Sequence, residues 1–342
     1  MSDTVLNKPT VSASPHIRSS ETSTGIMLDV IIALIPAFIA AICLFGPKSA
    51  AITAISIICC VLFEFISRKI MKRSNTLSDL SAIVTGILLA FNLPVSIPLW
   101  MIPIGAFFAI VVAKQFFGGI GQNFVNPALI GRIVLMVSFP GAMSSWTNAL
   151  AWHRDDIDTV SSATPLATLS ELFKSRTIDS IDASSLPALQ SMFFGHRAGC
   201  LGEVCAIALI LGGIYLIARR VISPAIPAVF IGTVAVFMFI ASKGNIYFTL
   251  YELLSGGLLL GAIFMATDYA TCPIRLKGKI IYAVGCGIIT AAIRLFGSLP
   301  EGVSFSIIIM NILVPHIERL TAPRAFGEVK EKKSGSKEAK QA

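Results

Sequence analysis

Thr164 carries the hydroxyl best placed for covalent chemistry in this chain. It ends the run Asp158-Thr159-Val160-Ser161-Ser162-Ala163-Thr164, in which an acidic residue precedes small side chains. The same letters also make an ordinary helix start, with Ser161, Ser162 or Thr164 as cap and Pro165 at the first helical position. Ser and Thr before Pro are common in loops, so on residue types alone the cap is favoured. Other reactive side chains are dispersed. His16, His153, His196 and His316 form no ligand set, and the seven cysteines (Cys43, Cys59, Cys60, Cys200, Cys205, Cys272, Cys286) contain no C-x-x-C pair. Most of these thiols fall inside apolar runs and read as small buried hydrophobes. No metal is expected.

Asp29, Glu64, Asp79, Lys114, Glu252, Asp268 and Arg294 lie in or beside apolar runs. Charges within a bilayer are expensive and often functional. Most of these lie within a turn of an expected span end, where a side chain can reach the interface. Glu64 is expected to reach Arg68 one turn on. By themselves they mark no ion path.

The chain that must position these residues is 55% hydrophobic and only 13% charged over 342 residues. A water-soluble fold could not bury that much apolar surface, so most of the chain is expected in lipid. The net charge of +8 does not indicate nucleic acid, because Lys and Arg sit in short loops and the tail, as topology signals do. Ten apolar segments can be marked: 26–45, 50–67, 80–93, 98–113, 125–140, 201–218, 221–241, 249–266, 280–296 and 303–318. Several are shorter than the ~20 residues of a straight span. Discontinuous transporter helices look like this where Gly or Pro interrupts them. The third, ending Asn92-Leu93-Pro94, and the eighth, with Ser255-Gly256-Gly257, are the candidates.

The segments divide the chain into a polar N-terminus (1–24), a first five-helix half (25–140), a loop with Thr164 (141–200), a second half (201–318) and a basic tail (319–342). The N-terminus lacks the apolar core of a cleaved signal peptide, so the first span is expected to direct insertion. The end of the tail, after Pro323, lacks apolar periodicity and is expected to be disordered. With the N-terminus in the cytoplasm, alternate loops place twenty basic residues inside and seven outside. This puts Thr164 on the outer side and Asn123 and Asn126 on the inner. Pro165 to Phe173 reads as a short outer helix, and 170–195 as solvated partner surface. A weak repeat supports two halves of opposite orientation: Asp79-Leu80-Ser81-Ala82 leads into Thr85–Ala90 as Glu252-Leu253-Leu254-Ser255 leads into Gly257–Ala262.

Asp158 to Thr164 fits the pattern Asp-x-x-Ser/Thr-small-Ala-Thr and resembles the motif on which flavin transferases hang FMN through a threonine phosphoester. Ser162 stands where that motif usually has Gly. Phe117-Gly118-Gly119-Ile120-Gly121-Gln122-Asn123-Phe124-Val125-Asn126-Pro127-Ala128 resembles the Gly-rich Asn-x-x-Asn-Pro turn before the fifth span of one family. Met265 to Pro273, and Leu299 to Phe305 followed by Met310-Asn311, resemble two further segments of it. That family comprises the D subunit of the Rnf electron-transport complex and the B subunit of the sodium-pumping NADH:quinone reductase. The resemblance runs from about Ile17 to Ala325, and Pro165-Leu166 and the compact length place the chain nearer the Rnf member.

The resemblance implies an all-α polytopic membrane protein of ten transmembrane helices in two inverted five-helix halves, similar to urea transporters. It implies FMN esterified to Thr164, with Asp158, Ser161, Ser162 and Ala163 as the attachment motif. By carry-over, Asn123 and Asn126 would hold an unattached riboflavin. Asn126 also reads as the N-cap before Pro127, and the two roles can coexist. The implied function is that of a subunit relaying electrons between reduced ferredoxin and NAD⁺ while the complex moves Na⁺ or H⁺. Flavins at both faces would carry electrons across the membrane. The partners implied are the other Rnf subunits, a flavin transferase and the bilayer. Nicotinamide and iron–sulfur sites belong to other subunits, and this chain has neither G-x-G-x-x-G nor clustered cysteines. Two other readings stand beside this one: a solute channel or transporter of the same fold without redox role, and a structural anchor for partner subunits.

Overall fold

The structure, a computed structural model, describes residues 22–74, 76–153, 164–175, 186–297 and 301–323. Every regular element among these residues is helical, as lipid requires of an open chain that must satisfy its own backbone. The first half comprises α1 (Ser23–Phe45), α2 (Pro47–Ile70), α3 (Ser81–Phe91), α4 (Met101–Phe107, continuing π-wound over Phe108–Gln115) and α5 (Pro127–Ser138). The connecting segment holds α6 (Pro140–Met143), α7 (Pro165–Lys174) and α8 (Leu189–Phe194). The second half comprises α9 (Ala206–Ala218), α10 (Ala225–Ala241), α11 (Ile246–Leu254), α12 (Leu258–Leu260, continuing π-wound over Gly261–Met265), α13 (Leu276–Phe296) and α14 (Val303–Thr321).

Helices α1, α2, α13 and α14 are each long and apolar enough to cross a membrane, and α11 with α12 forms a broken span bent by 64°. The remaining apolar helices, α3, α4, α5, α9 and α10, are shorter. Each apolar segment of the sequence thus has its helix or helix pair. On α1 the exposed Leu28, Ile32, Ile35 and Ile39 form one stripe and the buried Ala33, Leu34, Ala37 and Ala41 another. A helix between lipid and protein shows this division. The buried stripe meets α9 closely: a Cβ on Gly212 would lie 2.2 Å from the Ala33 carbonyl oxygen. Small residues at such a crossing let backbones approach where lipid supplies no hydrophobic drive.

The two halves break at matching places. Leu80, left-handed at φ 62°, precedes α3, and Gly256, at φ 64°, separates α11 from α12. A basic residue closes each break: Lys114 Nζ donates to Ser81 Oγ at 2.6 Å, and Arg294 to the Ser255 carbonyl at 3.1 Å. The far ends of the two broken segments meet, with Asn92 Nδ2 donating to Met265 Sδ at 3.7 Å. This end-to-end meeting is what an inverted repeat produces.

The membrane charges differ from expectation. Glu64 pairs with Lys114 at 2.8 Å, not with Arg68, whose guanidinium donates to the Ser74 carbonyl at 2.9 Å. Glu252 pairs with Arg294 at 3.1 Å. All four paired residues are buried rather than reaching the interface. A carboxylate facing the bundle interior needs a full opposite charge, because desolvation is too costly for an unpaired ion.

Candidate functional site

Thr164 sits at the N-cap of α7 with extended backbone (φ −72°, ψ 149°), and its Oγ1 accepts from the Ala167 amide at 3.2 Å. Pro165 occupies the next position, so the helix start expected from the sequence forms. The side chain is half-buried. Its hydroxyl hydrogen has no acceptor among the described residues. An ester at Oγ1 would keep the lone pair that accepts from Ala167, and its phosphate would sit at the positive end of α7. The geometry therefore fits a phosphoester. Asp158, Ser161, Ser162 and Ala163 lie outside the described residues, as do the segment 176–185 and the tail from 324.

Thr164 lines a small cavity of about 20 Å³ together with Trp146, Arg197, Glu203, Gly256 and Glu301. Beneath it lies a buried charge network. Arg132, on α5, donates to Glu203 at 3.1 Å, contacts Glu301 and reaches Cys200 Sγ at 3.8 Å. Arg197 donates to the Leu254 and Glu203 carbonyls. Burial pushes its guanidinium down to about 10, against the pull of Glu203, so it stays charged at neutral pH. Cys200, Glu203 and Glu301 are close enough to share a metal ion. However, the Arg132 guanidinium already lies among them, and burial lifts the Cys200 thiol well above its ordinary value. The cluster is an ion network joining the two halves through the connecting segment.

A second cavity of about 230 Å³ opens at the N-terminal end of α5, lined by Ser81, Thr85, Lys114, Asn123, Asn126 and Asp268. It shares no wall residue with the Thr164 cavity, and Arg132, which meets Glu203 and Glu301 there, is the sixth residue of the same helix. Asn126 caps α5 by accepting from the Ala128 amide at 3.1 Å, while its Nδ2 donates to the Met265 carbonyl at 3.2 Å. Each end of its amide thus makes one bond, leaving a second N–H and a second oxygen lone pair for a further partner. Asn123 donates to the Val125 carbonyl at 3.2 Å and bonds Asp268. Burial lifts the Asp268 carboxyl, and the Ala270 amide, the Thr271 hydroxyl and Asn123 oppose the lift.

The structure brings together segments distant in sequence. The Asn-x-x-Asn-Pro turn and the Met265–Pro273 segment share the second cavity, and Glu301 joins Thr164 at the first. Sequence reasoning missed the Arg132–Glu203–Glu301 network. Its available signal was Arg132 itself, a full charge inside an apolar run.

The NQR2, RnfD, RnfE family matches residues 10–327. The D subunit of the Na⁺-translocating ferredoxin:NAD⁺ oxidoreductase complex of Acetobacterium woodii is 45% identical over 326 residues, covering 95% of this chain and 97% of that one. The D subunit of the proton-translocating ferredoxin:NAD⁺ oxidoreductase complex of Clostridium ljungdahlii is 41% identical over 321 residues, covering 93% and 96%. The D subunit of the ion-translocating oxidoreductase complex of Alcanivorax borkumensis is 35% identical over 334 residues, covering 92% and 96%. With the match extending over nearly its whole length, the chain belongs to the NQR2, RnfD, RnfE family.

Proposed function

We propose that this chain is the membrane-embedded D subunit of an ion-translocating ferredoxin:NAD⁺ oxidoreductase complex and carries FMN as a phosphoester on Thr164. Relatives covering more than nine-tenths of the chain are named as that subunit, so the other subunits of the complex are its partners. The observation that carries the flavin reading is Thr164 itself, a helix cap whose hydroxyl borders a cavity at the positive end of α7. Attachment by a transferase forms an Oγ1–phosphorus bond, breaks the pyrophosphate of a flavin dinucleotide, and releases the nucleoside monophosphate and a proton. Bound there, the flavin supplies one- and two-electron transfer. The chain's part is to hold it: Thr164 anchors the phosphate, α7 and Arg197 offset its charge, and the ion network keeps the two halves in register beneath it.

Orientation rests on charge. Setting aside the buried Arg68, Lys114, Arg132, Arg197 and Arg294 leaves seventeen basic residues on the side assigned to the cytoplasm and five on the other. Thr164 then faces outward. A non-covalent flavin in the second cavity is the subordinate part of the reading. Its ring would meet Asn123, Asn126, Lys114 and Asp268, which line that cavity together. Acetobacterium woodii and Clostridium ljungdahlii proteins of comparable similarity are named for different ions, so similarity selects the complex and not its ion.

The test is the intact mass of the peptide containing Thr164, together with flavin fluorescence of the denatured chain. A phosphoester-linked FMN adds its mass and a fluorescent band, and Thr164→Val abolishes both. An unmodified, non-fluorescent chain isolated from cells that assemble the complex overturns the reading and favours a transporter or structural anchor.

A further inference from the structure

An FMN on Thr164 cannot lodge its ring beside the attachment point, where the cavity measures only about 20 Å³. A water molecule needs more than half of that. Trp146 is a wall of this cavity and also of a neighbouring one of about 570 Å³. That second volume lies within the roughly 300–1,000 Å³ range of small-molecule pockets. The Asn123 cavity shares no wall residue with the Thr164 cavity, whereas this one does.

Resting on the flavin reading above, we propose that the isoalloxazine ring of the Thr164-linked FMN lies in this larger cavity, between Trp146 and Trp152. Two of the chain's three tryptophans line it, with Phe45 adding a further apolar face. Lys48 supplies a polar group for the ring's carbonyl and nitrogen edge. Small-molecule sites combine aromatic walls and a few polar groups in this way.

The walls are anchored on the protein. Trp152 packs over Gly46, where a Cβ would come within 2.8 Å of the indole, and Gly46 itself is left-handed at φ 78°. The Leu150 amide donates to the Leu44 carbonyl at 2.7 Å, tying the loop to the end of α1. On the other side Ser96 and Ser145 are joined by a hydroxyl contact at 2.7 Å, with a further bond from Ser96 Oγ to the Ser145 carbonyl at 2.6 Å. Trp152 is nevertheless 47% exposed, leaving apolar surface that a stacked ring would cover. Lys48 is exposed beside it and places a cation where the reduced ring becomes anionic.

The experiment uses the full-length chain produced with its flavin transferase and purified in detergent. Flavin emission of the folded chain is compared with that of the same sample after unfolding, and covalent load is read from a denaturing gel. The expected result is emission quenched several-fold in the folded state, with a dominant picosecond decay from electron transfer out of a contacting indole. Trp146→Phe and Trp152→Phe each recover part of the emission, and the pair recovers most of it, at unchanged load. Folded wild-type chain decaying on the nanosecond scale of free FMN overturns the proposal without recourse to a variant. So does a loaded double variant as strongly quenched as wild type. Absence of covalent flavin from the wild-type chain overturns the flavin reading as well, and the gel distinguishes that case.

Discussion

Lys114 Nζ lies 2.8 Å from Glu64 and 2.6 Å from Ser81 Oγ, with both ionic side chains removed from solvent. Lys114 reaches this position from the π-wound end of α4, where the wider winding alters the direction of side chains. Glu64→Gln leaves the ammonium without its charge, and Lys114→Met leaves the carboxylate without its own. Each single change is expected to cost about 3–5 kcal/mol, while the double variant recovers most of that loss. Thermal unfolding in detergent checks it. Losses that simply add would show that the two charges are not coupled.

Thr164 caps α7, and one substitution can separate this role from the proposed attachment of FMN. Asp is as good an N-cap as Thr or better, yet its carboxylate forms no phosphoester in the attachment reaction. Thr164→Asp is therefore expected to keep the wild-type melting temperature and lose all covalent flavin. Thr164→Val loses the flavin and also about 1 kcal/mol of stability, because the Ala167 amide loses its side-chain acceptor and keeps only the Thr164 carbonyl. Paired melting curves and denaturing-gel fluorescence decide this. A flavin-bearing Asp variant would place the attachment elsewhere.

Much of the fold was legible because apolar runs in lipid have only one open-chain solution. Every one of the ten segments became helical, and the suspected break at Ser255–Gly257 is a bend of 64°, whereas the third segment is one short helix ending at Phe91, with its left-handed residue, Leu80, before it. The cap roles of Thr164 and Asn126 were also readable, since Pro at the first helical position restricts what precedes it. The charge partners were not. Glu64 has Arg68 four residues away, but its partner is Lys114, 50 residues on. Helical spacing sees only neighbours on one helix, and the partner is chosen by which face points into the bundle. Arg132 illustrates the same limit: counted as a loop charge, it sits among Glu203, Glu301 and Cys200 drawn from the connecting segment and the second half.

The α1–α9 crossing offers a test of packing in lipid. A methyl on Gly212 would lie 2.2 Å from the Ala33 carbonyl oxygen, a backbone atom that cannot move aside. Gly212→Ala is expected to destabilise by about 1–3 kcal/mol. On α10, a Cβ at Gly232 would have nothing within 4 Å, so Gly232→Ala is expected to be neutral or to stabilise by up to ~1 kcal/mol. Melting temperatures of the two variants should therefore move in different directions. Equal responses would mean that the helices do not cross this closely.

Asn123 and Asn126 lie three residues apart at one cavity but do different work. Asn126 holds α5 by accepting from Ala128 and joins the halves by donating to the Met265 carbonyl. Asn126→Ala is expected to lower stability by about 1–3 kcal/mol through loss of the cap and the crossing bond. Asn123 bonds the adjacent Val125 carbonyl and Asp268, both within the cavity wall. If a non-covalent flavin is held there, Asn123→Ala should lower the flavin released on unfolding, at a cost of about 1–3 kcal/mol from its lost bonds, while any Thr164-linked flavin stays unchanged. Acid precipitation separates the two pools: released flavin remains in the supernatant and the esterified flavin pellets with the chain. A wild-type supernatant without flavin would assign this cavity no flavin. It would leave Asn123 a positioning residue for Asp268.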